Sequence, residues 1–188
     1  MKTNSIKLLA LFFITSLTFT SCSSDDDGDD HDHEEELITT VIYTLTNNAD
    51  NTDVVTLTFT DLDGEGGNEG VYTPALATLS ANTTYSGVIQ LLNATENPAE
   101  DITEEVENEA EEHEFFYTSS ITDVNISKDD TDADGNPLGI ETTVVTGMAG
   151  TGSLTVILKH EPTKPNDGTS AGAGGSTDAQ VSYAIAVQ

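Results

Sequence analysis

Val54-Val55-Thr56-Leu57-Thr58-Phe59-Thr60 is the run on which the fold turns. Val55, Leu57 and Phe59 recur at every second position with threonine between them. A strand points successive side chains to opposite faces, so these three share one buried face. Valine and threonine are branched at Cβ and suit an extended backbone. Upstream, Ile38, Thr40, Ile42, Thr44 and Thr46 can share a face, with Leu37, Thr39, Val41, Tyr43 and Leu45 on the other. Asn47-Asn48-Ala49-Asp50-Asn51 between the two runs is turn chemistry, which predicts a hairpin.

The same reading extends downstream. Strand-like segments cover Tyr85 to Leu92, Phe115 to Tyr117, Ile121 to Ile126, Thr142 to Val145, Ser153 to His160 and Ala179 to Val187. Leu154, Val156 and Leu158 alternate, as do Val181, Tyr183, Ile185 and Val187. A weaker run from Val71 to Leu79 carries Pro74, whose missing N–H predicts a sheet edge. About seven or eight short strands with turn signals between them predict a mainly β fold, a single antiparallel, immunoglobulin-like β-sandwich over residues 37–188. Asp167 to Asp178, rich in glycine, serine and alanine, reads as a flexible loop.

One short acidic helix is expected from Asp101, with Asp101 as cap and Glu104 completing a capping box. Ile102, Val106, Ala110 and His113 form its apolar stripe. Glu105/Glu109 and Glu107/Glu111 are like-charge pairs four residues apart, which oppose the helix.

The first 36 residues are of another kind. Lys2 and Lys7 precede an apolar core from Leu8 to Phe19, and the chain's only cysteine, Cys22, follows a small residue. That order predicts a lipoprotein signal peptide over 1–21, with Cys22 lipidated as the new N-terminus. Residues 22–36, from Cys22 through Asp25-Asp26-Asp27 to Glu34-Glu35-Glu36, offer no aliphatic or aromatic side chain to bury and predict a disordered acidic tether. Within it, Asp29-Asp30-His31-Asp32-His33 reads either as a solvated spacer or as a metal-collecting tail. Loss of the leader removes two of five basic residues and none of the 34 acidic ones, so the formal charge moves from −29 to −31. With no arginine and three lysines, nucleic acid is excluded as a partner. Adhesion to an anionic lipid surface is excluded on the same ground. The membrane link is then the N-terminal lipid itself, and the fitting partners are cations or basic surfaces.

The sharpest site pattern is Asp130-Thr131-Asp132-Ala133-Asp134-Gly135-Asn136-Pro137-Leu138-Gly139-Ile140-Glu141. Asp130, Asp132 and Asp134 take the first, third and fifth places of a calcium loop, Asn136 offers the seventh-place carbonyl, and Glu141 closes it. Pro137 and the strand-like flanks depart from an EF-hand, and a plain acidic hairpin loop explains the same residues. Asp61 and Asp63, in Asp61-Leu62-Asp63-Gly64, form a shorter cation candidate. His113, near Glu109 and Glu112, and His160, beside Glu161, are a candidate pair for zinc or another transition metal, since imidazole and carboxylate are its ligands. The bland alternatives are a helix-end histidine and a strand-end histidine. No nucleophile elbow, P-loop or dinucleotide fingerprint is present, so no enzymatic activity is expected.

With these residues in view, the chain resembles a family of small lipoproteins from Bacteroidota-type bacteria. The resemblance rests on Cys22 to Asp27, Asp61 to Asn68, Ala81 to Gly87, Ile102 to Phe116, Gly135 to Gly139 and His160 to Lys164. Such proteins are often labelled "type 1 periplasmic binding fold superfamily". The resemblance implies an outer-membrane protein that works beside a TonB-dependent receptor, and its acidic run after Cys22 is similar to a signal for the outer cell surface. The label implies alternating strands and helices over two lobes. The strand pattern and a single-domain length point to the sandwich instead.

Overall fold

The computed structural model describes residues 37–188 apart from 65 and 66, so the signal segment, Cys22 and the tether lie outside the described residues. Among the described residues, eleven strands form two layers. The first sheet contains β1 (Thr40–Asn47), β2 (Val54–Thr60), β3 (Val71–Thr73), β5 (Thr84–Asn93), β6 (Glu100–Asp101), β8 (Asn125–Lys128) and β9 (Glu141–Val145). Its order is β3-β2-β1-β5-β9-β8, with β6 also paired to β5. The second sheet contains β4 (Ala77–Leu79), β7 (His113–Ser119), β10 (Gly150–His160) and β11 (Ser176–Val187), in the order β4-β11-β10-β7. Every pairing is antiparallel except β4 with β11.

The opening run behaves as its alternation predicts. Leu57 lies opposite Tyr43 and Val55 opposite Leu45 in the β1–β2 hairpin. The hairpin turn is held by side chains, since Asn47 Oδ1 accepts from Ala49 N at 2.9 Å and Asp50 Oδ1 from Thr52 N at 3.0 Å. Of the two faces open to β1, the one with Val41, Tyr43 and Leu45 is buried. It packs in one continuous core with Phe115, Leu158 and Tyr183 of the second sheet. Buried tyrosines find acceptors, as a phenol must in an apolar core. Tyr183 donates across the layers to the Val41 carbonyl at 2.9 Å, and Tyr43 Oη lies 2.6 Å from Thr142 Oγ1.

That Tyr43–Thr142 contact has room only because residue 87 is glycine. A Cβ there would collide with Thr142 Oγ1 and come within 2.7 Å of the Tyr43 ring and hydroxyl. Gly87→Ala is therefore expected to destabilise the domain by about 1–3 kcal/mol through overpacking, read as a lower urea midpoint at unchanged slope.

Four expectations need correction. The Val71–Leu79 run breaks at Pro74 into two edge strands, β3 on the first sheet and β4 on the second, so this segment changes layers. Residues 121–124 form a turn, closed by Val124 N donating to the Ile121 carbonyl at 3.1 Å, and β8 begins only at Asn125. Ile121 and Val124 are still buried, because the turn tucks them under the core. The helix α1 spans Thr103–Asn108, with Ile102 at the N-cap position and no side-chain cap bond there. Asp101 belongs to β6 and accepts instead from Thr103 N at 3.0 Å. Ile102, Val106 and Ala110 are buried as the stripe requires, yet the helix stops five residues before His113. Like-charged glutamates four residues apart and the absence of any base in the last turn favour that early end. Finally, the 167–178 segment is ordered by a short helix α2 (Ser170–Ala173), capped where Thr169 Oγ1 accepts from Gly172 N at 3.0 Å.

Candidate metal centre

His113 and His160 face each other across β7 and β10, as direct register partners. The alternation of Leu154, Val156 and Leu158 places His160 next on the inner face, and Phe115 does the same for His113. The apolar stripe of the second sheet thus ends in two imidazoles, stacked with ring centroids 4.9 Å apart and planes inclined by 12°. His113 is fully buried and His160 nearly so.

The third group comes from a bulge. Leu158 pairs with Ala179 and Lys159 with Thr177, so Asp178 is an extra residue in β11. A bulge bends its strand and re-aims side chains. Here it brings the Asp178 carboxylate to 3.9 Å from His113 Nε2, with its side chain 6% exposed. Lys159 clamps the bulge from the outer face, donating to the Gly175 carbonyl and to Thr177 Oγ1, each at 2.9 Å. Gly175 has a φ of +67°, and a Cβ there would strike the His160 carbonyl oxygen. Glycine alone admits both the conformation and the approach.

Ligand atoms of His113, His160 and Asp178 all lie within 4.8 Å of one another, as do those of Glu112, His160 and Glu161. His160 Nε2 is 3.8 Å from Glu112 Oε2. Tetrahedral zinc with bonds of 2.0–2.1 Å needs ligand atoms about 3.3 Å apart, so small side-chain rotations would close either set on an ion. The far nitrogen of His113 is also anchored. Its Nδ1 lies 3.1 Å from the Glu109 carbonyl, which can only accept, so Nδ1 carries a proton and Nε2 is the nitrogen that faces Asp178. A histidine oriented by a backbone carbonyl on its far nitrogen is the usual support of a metal ligand. The same contact reaches back toward the end of α1, although His113 itself sits in β7 and not at the helix end where the sequence placed it.

The calcium pattern is not gathered in this way. Asp130 accepts from Gly139 N at 2.6 Å, Ile140 N at 2.9 Å and Glu141 N at 3.2 Å. Asp132 accepts from Asn136 N at 2.8 Å and from Lys164 Nζ at 3.2 Å, while the Asn136 carbonyl accepts from Asp132 N. These oxygens close a hairpin loop and hold a lysine ammonium. Among the described residues, none of Asp130, Asp132, Asp134 or Glu141 joins a cluster of three convergent ligands. Asp61 and Asp63 are likewise spent on their own loop, accepting from Gly64 N at 3.0 Å and from Asn68 N at 3.0 Å. They line a cavity of about 450 Å³ together with Asp178, without joining its ligand set.

All three lysines of the described residues are used internally near this end of the sandwich. Lys128 pairs with Glu114, Lys159 holds the bulge, and Lys164 joins Asp132 and the Ala110 carbonyl. No exposed ammonium is left here to repel a cation. No known protein family, curated protein or solved structure matches this chain.

Proposed function

We propose that this chain is a non-enzymatic, lipid-anchored binding protein of the outer membrane, exposed at the cell surface, that holds a divalent transition metal between His113, His160 and Asp178. The observation that carries the metal reading is the cross-strand histidine pair with a carboxylate aimed at it by a bulge. Imidazole nitrogens with one carboxylate select zinc or a similar transition metal over calcium, which prefers oxygen alone. The anchor rests on the order of residues around Cys22, and work beside a TonB-dependent receptor rests on the family resemblance. Calcium at 130–141 is the weaker arm of the same proposal, because binding there would first have to break the loop's own hydrogen bonds.

Thermal melting tests this. A ligand that binds only the folded state at a hundredfold excess over Kd adds about 2.7 kcal/mol, equivalent to about 5–10 °C in a domain of this size. Any dication screens the self-repulsion of so acidic a chain, so magnesium at equal concentration is the baseline. Zinc should raise Tm by that amount beyond magnesium, and zinc held only by the His31/His33 tail should not. Equal shifts for zinc, calcium and magnesium would favour a structural or adhesive surface module whose acidic loops only solvate it. A calcium-specific shift would return the site to the 130–141 loop.

A further inference from the structure

The two ligand clusters share His160 but differ in depth. His113 is fully buried, and the Asp178 and His160 side chains are 6% and 11% exposed, whereas the Glu112 side chain is 41% exposed and Glu161 lies on the surface. The outer pair is also built in. Glu161 has a φ of +50°, in the left-handed region that a non-glycine residue enters only when its surroundings impose it. It is held there by Glu161 N donating to the Glu112 carbonyl at 2.6 Å, and by Gly175 lying against the His160 carbonyl. The backbone turn that ends β10 therefore brings the Glu161 and Glu112 carboxylates within 4.8 Å of the same imidazole.

We infer that Glu112, His160 and Glu161 form a second, solvent-facing metal position that loads the buried one, with His160 as the ligand common to both. This rests on the buried site proposed above. Two carboxylates and a neutral imidazole cancel the charge of a dication, so an ion arriving from water is held there at little cost in desolvation. Moving inward, it exchanges Glu161 for His113 and Asp178 while keeping its bond to His160. It is never stripped of all protein ligands. Glu112, whose Oε2 is 3.8 Å from His160 Nε2, can follow as a fourth ligand and keep the buried ion neutral. No bond other than metal–ligand bonds is made or broken.

Cobalt(II) alone is a suitable probe, because four-coordinate sites absorb visible light strongly and six-coordinate ones weakly. In stopped flow, wild-type protein should develop the intense band, and His113→Ala should lose it. Glu161→Gln should reach the wild-type amplitude but load, and release to a chelator, about tenfold or more slowly, in the range that charge-assisted capture controls. Glu161→Asp should restore the rate. Loading of Glu161→Gln at the wild-type rate would overturn the loading role. A proportional loss of its amplitude would show one site rather than two. The absence of the band in wild-type protein would instead overturn the buried site itself, and the loading role with it.

Discussion

His160→Ala should abolish the zinc-specific rise in Tm, while leaving a folded protein that still responds to magnesium. His160 belongs to both ligand clusters, so its loss disables the buried set and the exposed set together. The alanine also leaves a cavity at the end of the inner face, which lowers the metal-free Tm. The informative quantity is therefore the difference with and without zinc in each variant. In wild type that difference is about 5–10 °C at a hundredfold excess over Kd, and in His160→Ala it should vanish. His160→Gln, which fills more of the space, should lose the zinc response with less damage to the baseline. His113→Ala should lose most of it, because Glu112, His160 and Glu161 remain. Binding should also weaken in acid for wild type, since protons compete for the imidazole lone pairs that the metal requires. A zinc response that survives both histidine variants would place the ion elsewhere.

The largest effect on stability alone is expected at Asp132. Lys164 Nζ donates to the Asp132 carboxylate at 3.2 Å and to the Ala110 carbonyl at 2.6 Å, and both side chains of the pair are almost fully buried. One ammonium thus ties the 130–141 loop and the segment after β10 to the end of α1. Asp132→Ala strands that ammonium and removes the acceptor for Asp134 N and Asn136 N. Breaking a buried pair by deleting one partner costs about 3–5 kcal/mol, a large part of the total for a domain. Chemical denaturation should show that loss as a lower midpoint. Burial raises the Asp132 pKa, but hydrogen bonds from Asn136 and Lys164 and the Lys164 charge outweigh it and hold the carboxyl below its usual 3.8. Because the folded-state pKa is the lower one, this stabilisation is present above pH 3.8 and is lost as pH falls through the folded value. Asp132→Asn should accordingly flatten the acid limb of the stability curve below about pH 4.

Much of this was legible in the residues. The Val55-Leu57-Phe59 alternation set the hairpin and its buried face, because period two is a property of the strand itself. The same rule marks His160, two residues after Leu158, and His113, two before Phe115, as inner-face residues. It does not say that β7 and β10 are neighbours, since pairing across 47 residues is decided by the packing of both sheets. Asp178 was hidden for a different reason. Counting back by two from Val181 through Ala179 puts Asp178 on the outer face, and only the bulge reverses it. The calcium pattern shows the opposite failure. Asp, Gly and Asn at those spacings satisfy a turn's N–H groups as well as they satisfy a cation, and Lys164, distant in sequence, supplies the positive charge.

X-ray absorption at the zinc edge bears most directly on a metal held by two imidazoles. The chain has four histidines, so with His31→Asn and His33→Asn only His113 and His160 remain as sources of imidazole. The expected spectrum shows two imidazole nitrogens and one or two carboxylate oxygens in the first shell, at about 2.0–2.2 Å. A shell of oxygen alone, with no imidazole scattering, would put zinc on surface carboxylates and contradict the His113–His160–Asp178 site.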